Sequence, residues 1–210
     1  MPICDPPVCI SFANTIERYR GRRNNEPYLA AVTATNPGAW SRTSDRLRDS
    51  LVLMFPGVTC VDRDPDWTFR ELHDPETLLS CVPGGSLTRL VDRSRFEARI
   101  VIGVGPFRVV YAGAGRIVAS NPQLRTASIA LTGRSMANMP SVRVRMSMEV
   151  HGRPCGSEIQ MAFQVTIAET RGLLSPGLID SVAREMVDRT VGRIKRQLED
   201  TPDHPGPAAA

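Results

Sequence analysis

Between Leu51 and Asp200 the chain changes its hydrophobic period twice, and those changes divide it into recognisable elements. The segment LVLMFPGVTCV reads as a first strand, demoted to an edge or bulged position by Pro56-Gly57. In DPDWTFRELHDPETLLSCVPGG, Asp64 and Asp74 each precede a proline, placing a capping carboxylate ahead of proline at the first helical position. Two short helices in succession follow from this, with Trp67, Leu72, Leu78, Leu79 and Val82 as their expected buried sides. From Arg95 the period becomes two: Phe96, Ala98, Ile100, Ile102 and Val104 alternate with Arg95, Glu97, Arg99 and Val101, as in a strand buried on one face. Gly105-Pro106 turns the chain, and FRVVYAGAGRIVA, TASIALTG, VRVRMSMEVHG and EIQMAFQVTIAE continue as strands joined by short turns, which favours an antiparallel meander.

The period then returns to helical. Ser175 caps LIDSVAREMVDRTVGRIKRQLE, whose Ile179, Val182, Ala183, Met186, Val187, Val191, Ile194 and Leu198 share one side. Residues 1–50 keep no sustained period, and the polar, proline-rich end holds none either. The expected organisation is a poorly structured appendage over 1–50, an ordered ligand-binding domain over 51–199 and a disordered tail over 200–210. Translation from Met54, where the patterned region begins, is the alternative explanation of the appendage.

Composition narrows the class. A hydrophobic fraction of 41% supports an ordinary core, while no window holds the roughly 18 apolar residues of a membrane span. Five cysteines, odd in number and without a C-x-x-C pair, read as free thiols rather than as a disulfide framework or zinc site. The expected location is therefore the cytoplasm, with at most peripheral contact with the inner membrane. A net charge of +4 is small, and the basic residues are scattered among acidic ones, so nucleic acid is not an expected partner. Lys195 is the single lysine among 26 basic residues, a bias that points to a GC-rich bacterial genome.

Catalytic constellations are weak. Cys81 ends its predicted helix, where the dipole opposes a thiolate, and His73 lies on a different helix, so Cys81 reads as structural. His73, His151 and His204 are dispersed and offer no metal cluster. The glycines of GVG and GAGR lie inside strands rather than opening a helix, and serve curvature rather than phosphate binding. Glu97 and Glu149 fall on the polar side of their strands.

The order of a strand, two short helices, a run of antiparallel strands and one long helix is that of the START-like helix-grip fold, an α+β architecture in which a curved sheet wraps around the helix. DPETLLSCVPGG, RFEARIVIGVGPFRVVYAGAGRI, GSEIQMAFQVTIAE and GLIDSVAREMVDRTVGRIKRQL, in that order, resemble the family of the carbon monoxide dehydrogenase G-subunit, within the SRPBCC superfamily. The likeness runs from Met54 to Leu198. It implies a noncatalytic accessory of a molybdenum-containing hydroxylase that carries a lipid or quinone or aids maturation or docking, with hydroxylase subunits as partners and no cofactor of its own.

Such a fold leaves a cavity between sheet and helix, and adaptable thioethers suit it to an apolar or aromatic ligand. The candidate lining is Ile102, Phe107, Tyr111, Ile129, Met146, Met148, Met161, Phe163, Val182 and Met186, some of which fill the cavity floor, with Tyr111 as the polar handle. Two rivals stand beside this reading. A cyclase or aromatase would need an inward titratable group, such as Arg99, Arg116, Glu149 or His151; a pure interaction subunit would have a collapsed cavity.

Overall fold

The computed structural model describes residues 50–104, 107–137, 139–168 and 175–201, with backbone alone for Val104 and Phe107. The appendage before residue 50, the Gly105-Pro106 turn and the tail beyond Thr201 lie outside the described residues. The elements are β1 (Leu51–Val61), α1 (Pro65–His73), α2 (Pro75–Cys81), β2 (Gly85–Leu90), β3 (Arg95–Val104), β4 (Phe107–Asn121), β5 (Thr126–Ser135), β6 (Val142–Arg153), β7 (Gly156–Ile167) and α3 (Pro176–Asp200). The strands form one sheet in the order β1-β7-β6-β5-β4-β3-β2, antiparallel throughout, and α3 packs against it. This is the expected α+β helix-grip arrangement.

The caps form as the sequence implies. Asp64 accepts from the amides of Asp66 and Trp67, both at 2.9 Å, Asp74 accepts from Thr77 at 2.8 Å, and Ser175 accepts from Leu178 at 3.3 Å. Phe69 is buried in α1 where the pattern offered Trp67, which is half-buried instead.

Three expectations change. β1 is at an edge but not broken: it pairs continuously with β7 from Leu51 opposite Ile167 to Val61 opposite Ser157. An edge strand has one side without a ladder partner, and a residue without an N–H fits there, so Pro56 does not interrupt it. β2 adds a seventh strand that alternation did not reveal, because GSLTRL buries little: Leu87 packs against the core while Leu90 is 55% exposed. Cys60 and Cys155 are disulfide-bonded rather than free thiols. Cys60 stands opposite Glu158 in the β1–β7 pairing and Cys155 lies in the β6–β7 turn, so both sit at the same end of the sheet. The case for a reducing compartment fails for these two residues.

At that corner the helix is pinned. Val187, near the middle of α3, and Val191, Ile194 and Leu198, from its C-terminal half, are all buried. The helix lies so close to β1 that a Cβ on Gly57 would stand 2.8 Å from Val191 Cγ2 and would force the valine or the helix to shift. Arg63, just past β1, donates to the carbonyls of Leu198 at 3.0 Å, Glu199 at 2.8 Å and Thr201 at 2.9 Å, satisfying acceptors that a helix end leaves open. Lys195 donates to the Cys60 carbonyl at 3.1 Å from the helix side.

Cys81 is packed beneath the same helix at 1% exposure. Burial pushes its thiol pKa up, partly countered by a hydrogen bond with Ser80 and the charge of Arg193. The folded state therefore holds the proton where the unfolded chain would release it. The resulting stability is full below the unfolded thiol pKa, about 8.5, and is lost as pH rises through the raised folded value.

Two outcomes follow. Arg63→Ala should destabilise the fold by roughly 1.5–3 kcal/mol in urea titration, with faster amide exchange confined to the last turns of α3, and Arg63→Lys should recover only part because it lacks the planar fork. Under non-reducing conditions, Cys81 should resist thiol-labelling reagents at neutral pH and react only on unfolding; labelling at the rate of an exposed thiol would contradict its structural role.

Candidate functional site

Away from the pinned corner, the N-terminal half of α3 stands over a cavity of about 220 Å³. Ile179 is the buried residue of that half; Val182, Ala183 and Met186 are half-buried and turn toward the void, and Leu178, 41% exposed, brings the lining to the surface. The facing sheet contributes alternate residues of its central strands, because side chains two apart share a face. Thus β3 supplies Phe96, Ala98, Ile100 and Ile102, β6 supplies Val142, Val144 and Met146, and β7 supplies Phe163, Val165 and Ile167. Leu78, Leu79 and Val82, from α2 and the turn after it, form the side wall.

β4 and β5 present glycines on the inner face, and at Gly113 a Cβ would stand 1.8 Å from the Thr132 carbonyl oxygen, so that glycine serves the close approach of the two strands. Gly113 and Gly133 are register partners in the lining, and Gly115 beside them carries the Phe96 ring, which a Cβ would meet at 2.3 Å. The strand glycines read from sequence as sources of curvature thus also accommodate a ring and a neighbouring strand's backbone.

The lining is almost wholly apolar. The polar side chains that face it are Tyr111 and Thr190, and Thr190 donates to the Met186 carbonyl at 2.7 Å; Thr132, between the inward Leu131 and Gly133, turns its hydroxyl to the other face, where it donates to the Ala114 carbonyl at 3.4 Å. The Tyr111 hydroxyl makes no hydrogen bond among the described residues. Burial pushes its pKa up, so the group stays a neutral donor.

Of the candidate lining residues, the structure brings Ile102, Tyr111, Met146, Phe163, Val182 and Met186 around the cavity. Ile129, Met148 and Met161 lie on the same inner face but are 1–3% exposed within the packed core, so they fill rather than line. The side chain of Phe107 lies outside the described residues. Residues not singled out from sequence include Met139 and Pro140, which join the lining from the segment between β5 and β6. That segment has no period to read.

The groups a cyclase would need do not face this space. Arg99 and Arg116 are exposed, and Glu149 lies 3.4 Å from His151 in an ion-pair geometry outside the cavity. Among the described residues no cluster of three or more His, Cys, Asp or Glu could hold a metal ion, and no helix is long and apolar enough to cross a membrane.

Solved structures share this architecture at low identity. A conserved protein from Geobacillus kaustophilus superposes with a TM-score of 0.59 at 14% identity, covering 70% of this chain and 95% of its own. The Zhui aromatase/cyclase from a Streptomyces species gives 0.50 at 11% identity, covering 71% and 98%, and a Thermus thermophilus protein gives 0.50 at 12%, covering 70% and 97%. At such identities the likeness is one of fold. No curated protein matches the chain. The family model of the carbon monoxide dehydrogenase G-subunit (CoxG), however, matches residues 57–199, from within β1 to the last turn of α3, and on that match the chain belongs to the CoxG family.

Proposed function

We propose that this protein is a noncatalytic carrier of a hydrophobic small molecule, held between the sheet and α3, and that it serves as an accessory to a carbon monoxide dehydrogenase-type molybdenum hydroxylase. The observation that carries this reading is the apolar cavity of about 220 Å³. An apolar cavity of roughly 150 Å³ suffices for benzene, and drug-sized pockets begin near 300 Å³. The space therefore suits one ring system or a short stretch of chain, with the rest of a longer ligand leaving past Leu178. A quinone head or an acyl terminus meets that description.

Burial of apolar surface drives binding at about 25 cal/mol per Å² before the cost of association. Met139, Met146 and Met186 adapt to an irregular ligand, and Tyr111 offers one hydrogen bond that an acceptor on a ring could take. Family membership supports the accessory role. Against a cyclase-like reading, Tyr111 is the sole titratable side chain in the described lining, and its raised pKa keeps it protonated.

Lipid extraction and mass spectrometry of the native protein should recover a bound hydrophobe. Added quinone or fatty acid at about 100 times its Kd should stabilise the protein by about 2.7 kcal/mol, a rise in Tm of roughly 5–10 °C. Ala183→Phe, projecting a ring into the void, should abolish that rise; an empty protein insensitive to both ligand classes would sink the carrier reading. Tyr111→Phe should weaken a quinone about 2–10-fold while leaving a fatty acid chain unaffected, as one lost hydrogen bond predicts.

A further inference from the structure

Strand register gathers onto one face arginines that are scattered along the sequence. Ile100, Tyr111, Gly133 and Val142 face the cavity, so Arg99, Ala112, Arg134 and Arg143, their sequence neighbours, face away from it. Arg99 pairs with Ala112, and Ala112 with Arg134. In the next row Ala114 pairs with Thr132 and Thr132 with Arg143; in the row after that Arg95 pairs with Arg116, Arg116 with Ala130 and Ala130 with Arg145. With strands about 4.8 Å apart, Arg99 and Arg134 stand about 10 Å from each other across a single alanine. Arg99, Arg116, Arg134 and Arg143 are exposed, and the residues between them are short.

Three arginines of this array have no acidic partner among the described residues. Glu97 on the same face is engaged by Arg89, Asp92 by Arg95, and Glu149 lies further along β6 beside His151. Arg99, Arg116 and Arg134 have no carboxylate within ion-pair distance among the described residues. At the β1 edge the same rows end in Val52 and Met54, each 48% exposed, across β7 from Arg143 and Arg145.

We propose that this outer sheet face docks a folded protein presenting an array of carboxylates. A sheet holds its guanidinium stems at fixed spacing, and such a lattice is best used by a partner whose carboxylates are equally fixed, each able to accept two parallel N–H bonds. Arginine and methionine are also enriched where proteins meet. Single-stranded nucleic acid would call for aromatic platforms, and the described residues of this face carry none. A bilayer is fluid and does not exploit fixed spacing, and the floor between the arginines is alanine and threonine rather than large apolar groups that would enter a membrane interface. The surface lies opposite the cavity, so its role stands whether or not the carrier reading does.

The test is fluorescence anisotropy with a synthetic helical peptide bearing glutamate along one face, against its glutamine counterpart, phosphatidylglycerol vesicles and duplex DNA. The wild type should prefer the glutamate peptide on the order of tenfold, and the preference should shrink with salt. Arg99→Glu/Arg134→Glu and the milder Arg99→Gln/Arg134→Gln should lose it, while Arg189→Glu/Arg196→Glu on α3 should keep it. Equal binding of the two peptides by the wild type, unchanged binding by both face variants, or tighter arginine-dependent binding to vesicles or DNA would each overturn the proposal. Thermal stabilisation by a cavity ligand, measured on the same variants, separates failure of this surface from failure of the cavity.

Discussion

The closeness of α3 to β1 at one end is the constraint on which the rest of the structure depends. Gly57 lets Val191 descend onto the strand, and Arg63 holds the terminal carbonyls of the same helix. A straight rod fixed at one end over a twisted sheet cannot hug the sheet along its whole length. It parts from the surface toward its N-terminus, and the cavity is the wedge that results. Val191, Ile194 and Leu198 are buried at the pinned end, whereas toward the other end Ile179 is buried but Val182, Ala183 and Met186 are only half-buried and Leu178 is 41% exposed.

The pinned end and the open end divide labour between strength and adaptability. Near Arg63 the polar groups are satisfied: the Ser157 hydroxyl donates to the Arg63 carbonyl at 2.6 Å and lies 3.3 Å from the Thr68 hydroxyl, both side chains being buried. Such a network specifies one arrangement and resists change. Around the void the walls are thioethers, branched aliphatics and two phenyl rings, which can shift without losing a hydrogen bond. A carrier needs both properties, since a cavity that closed on itself would exclude its cargo and one without a fixed frame would not reopen in the same place.

Much of this was legible in the residues. Period-two runs located β3 to β7, the Asp-Pro pairs located α1 and α2, and the assignment of Cys81 to packing agrees with its burial and raised pKa. Alternation names an inner face but not how far the helix stands above each part of it. That is why Ile129, Met148 and Met161, identical in pattern to Met146 and Phe163, fill the core instead of lining the cavity. β2 escaped notice because an edge strand with one partly buried leucine carries almost no periodic signal. The arginine face depends on which strands become neighbours, a property of register that linear spacing does not encode.

The pairing of β1 with β7 also governs how the molecule comes into being. The first described strand waits for the last, with Leu51 opposite Ile167, and α3 follows later still. Contacts so distant along the chain slow folding, because a long loop must close before they reward it. During synthesis the meander from β2 to β6 can assemble by neighbouring hairpins while β1 keeps an unpaired edge and the inner face stays open to water. The cavity is therefore the last part of the protein to exist, and a newborn chain exposes as one broad apolar surface what the finished protein folds between sheet and helix.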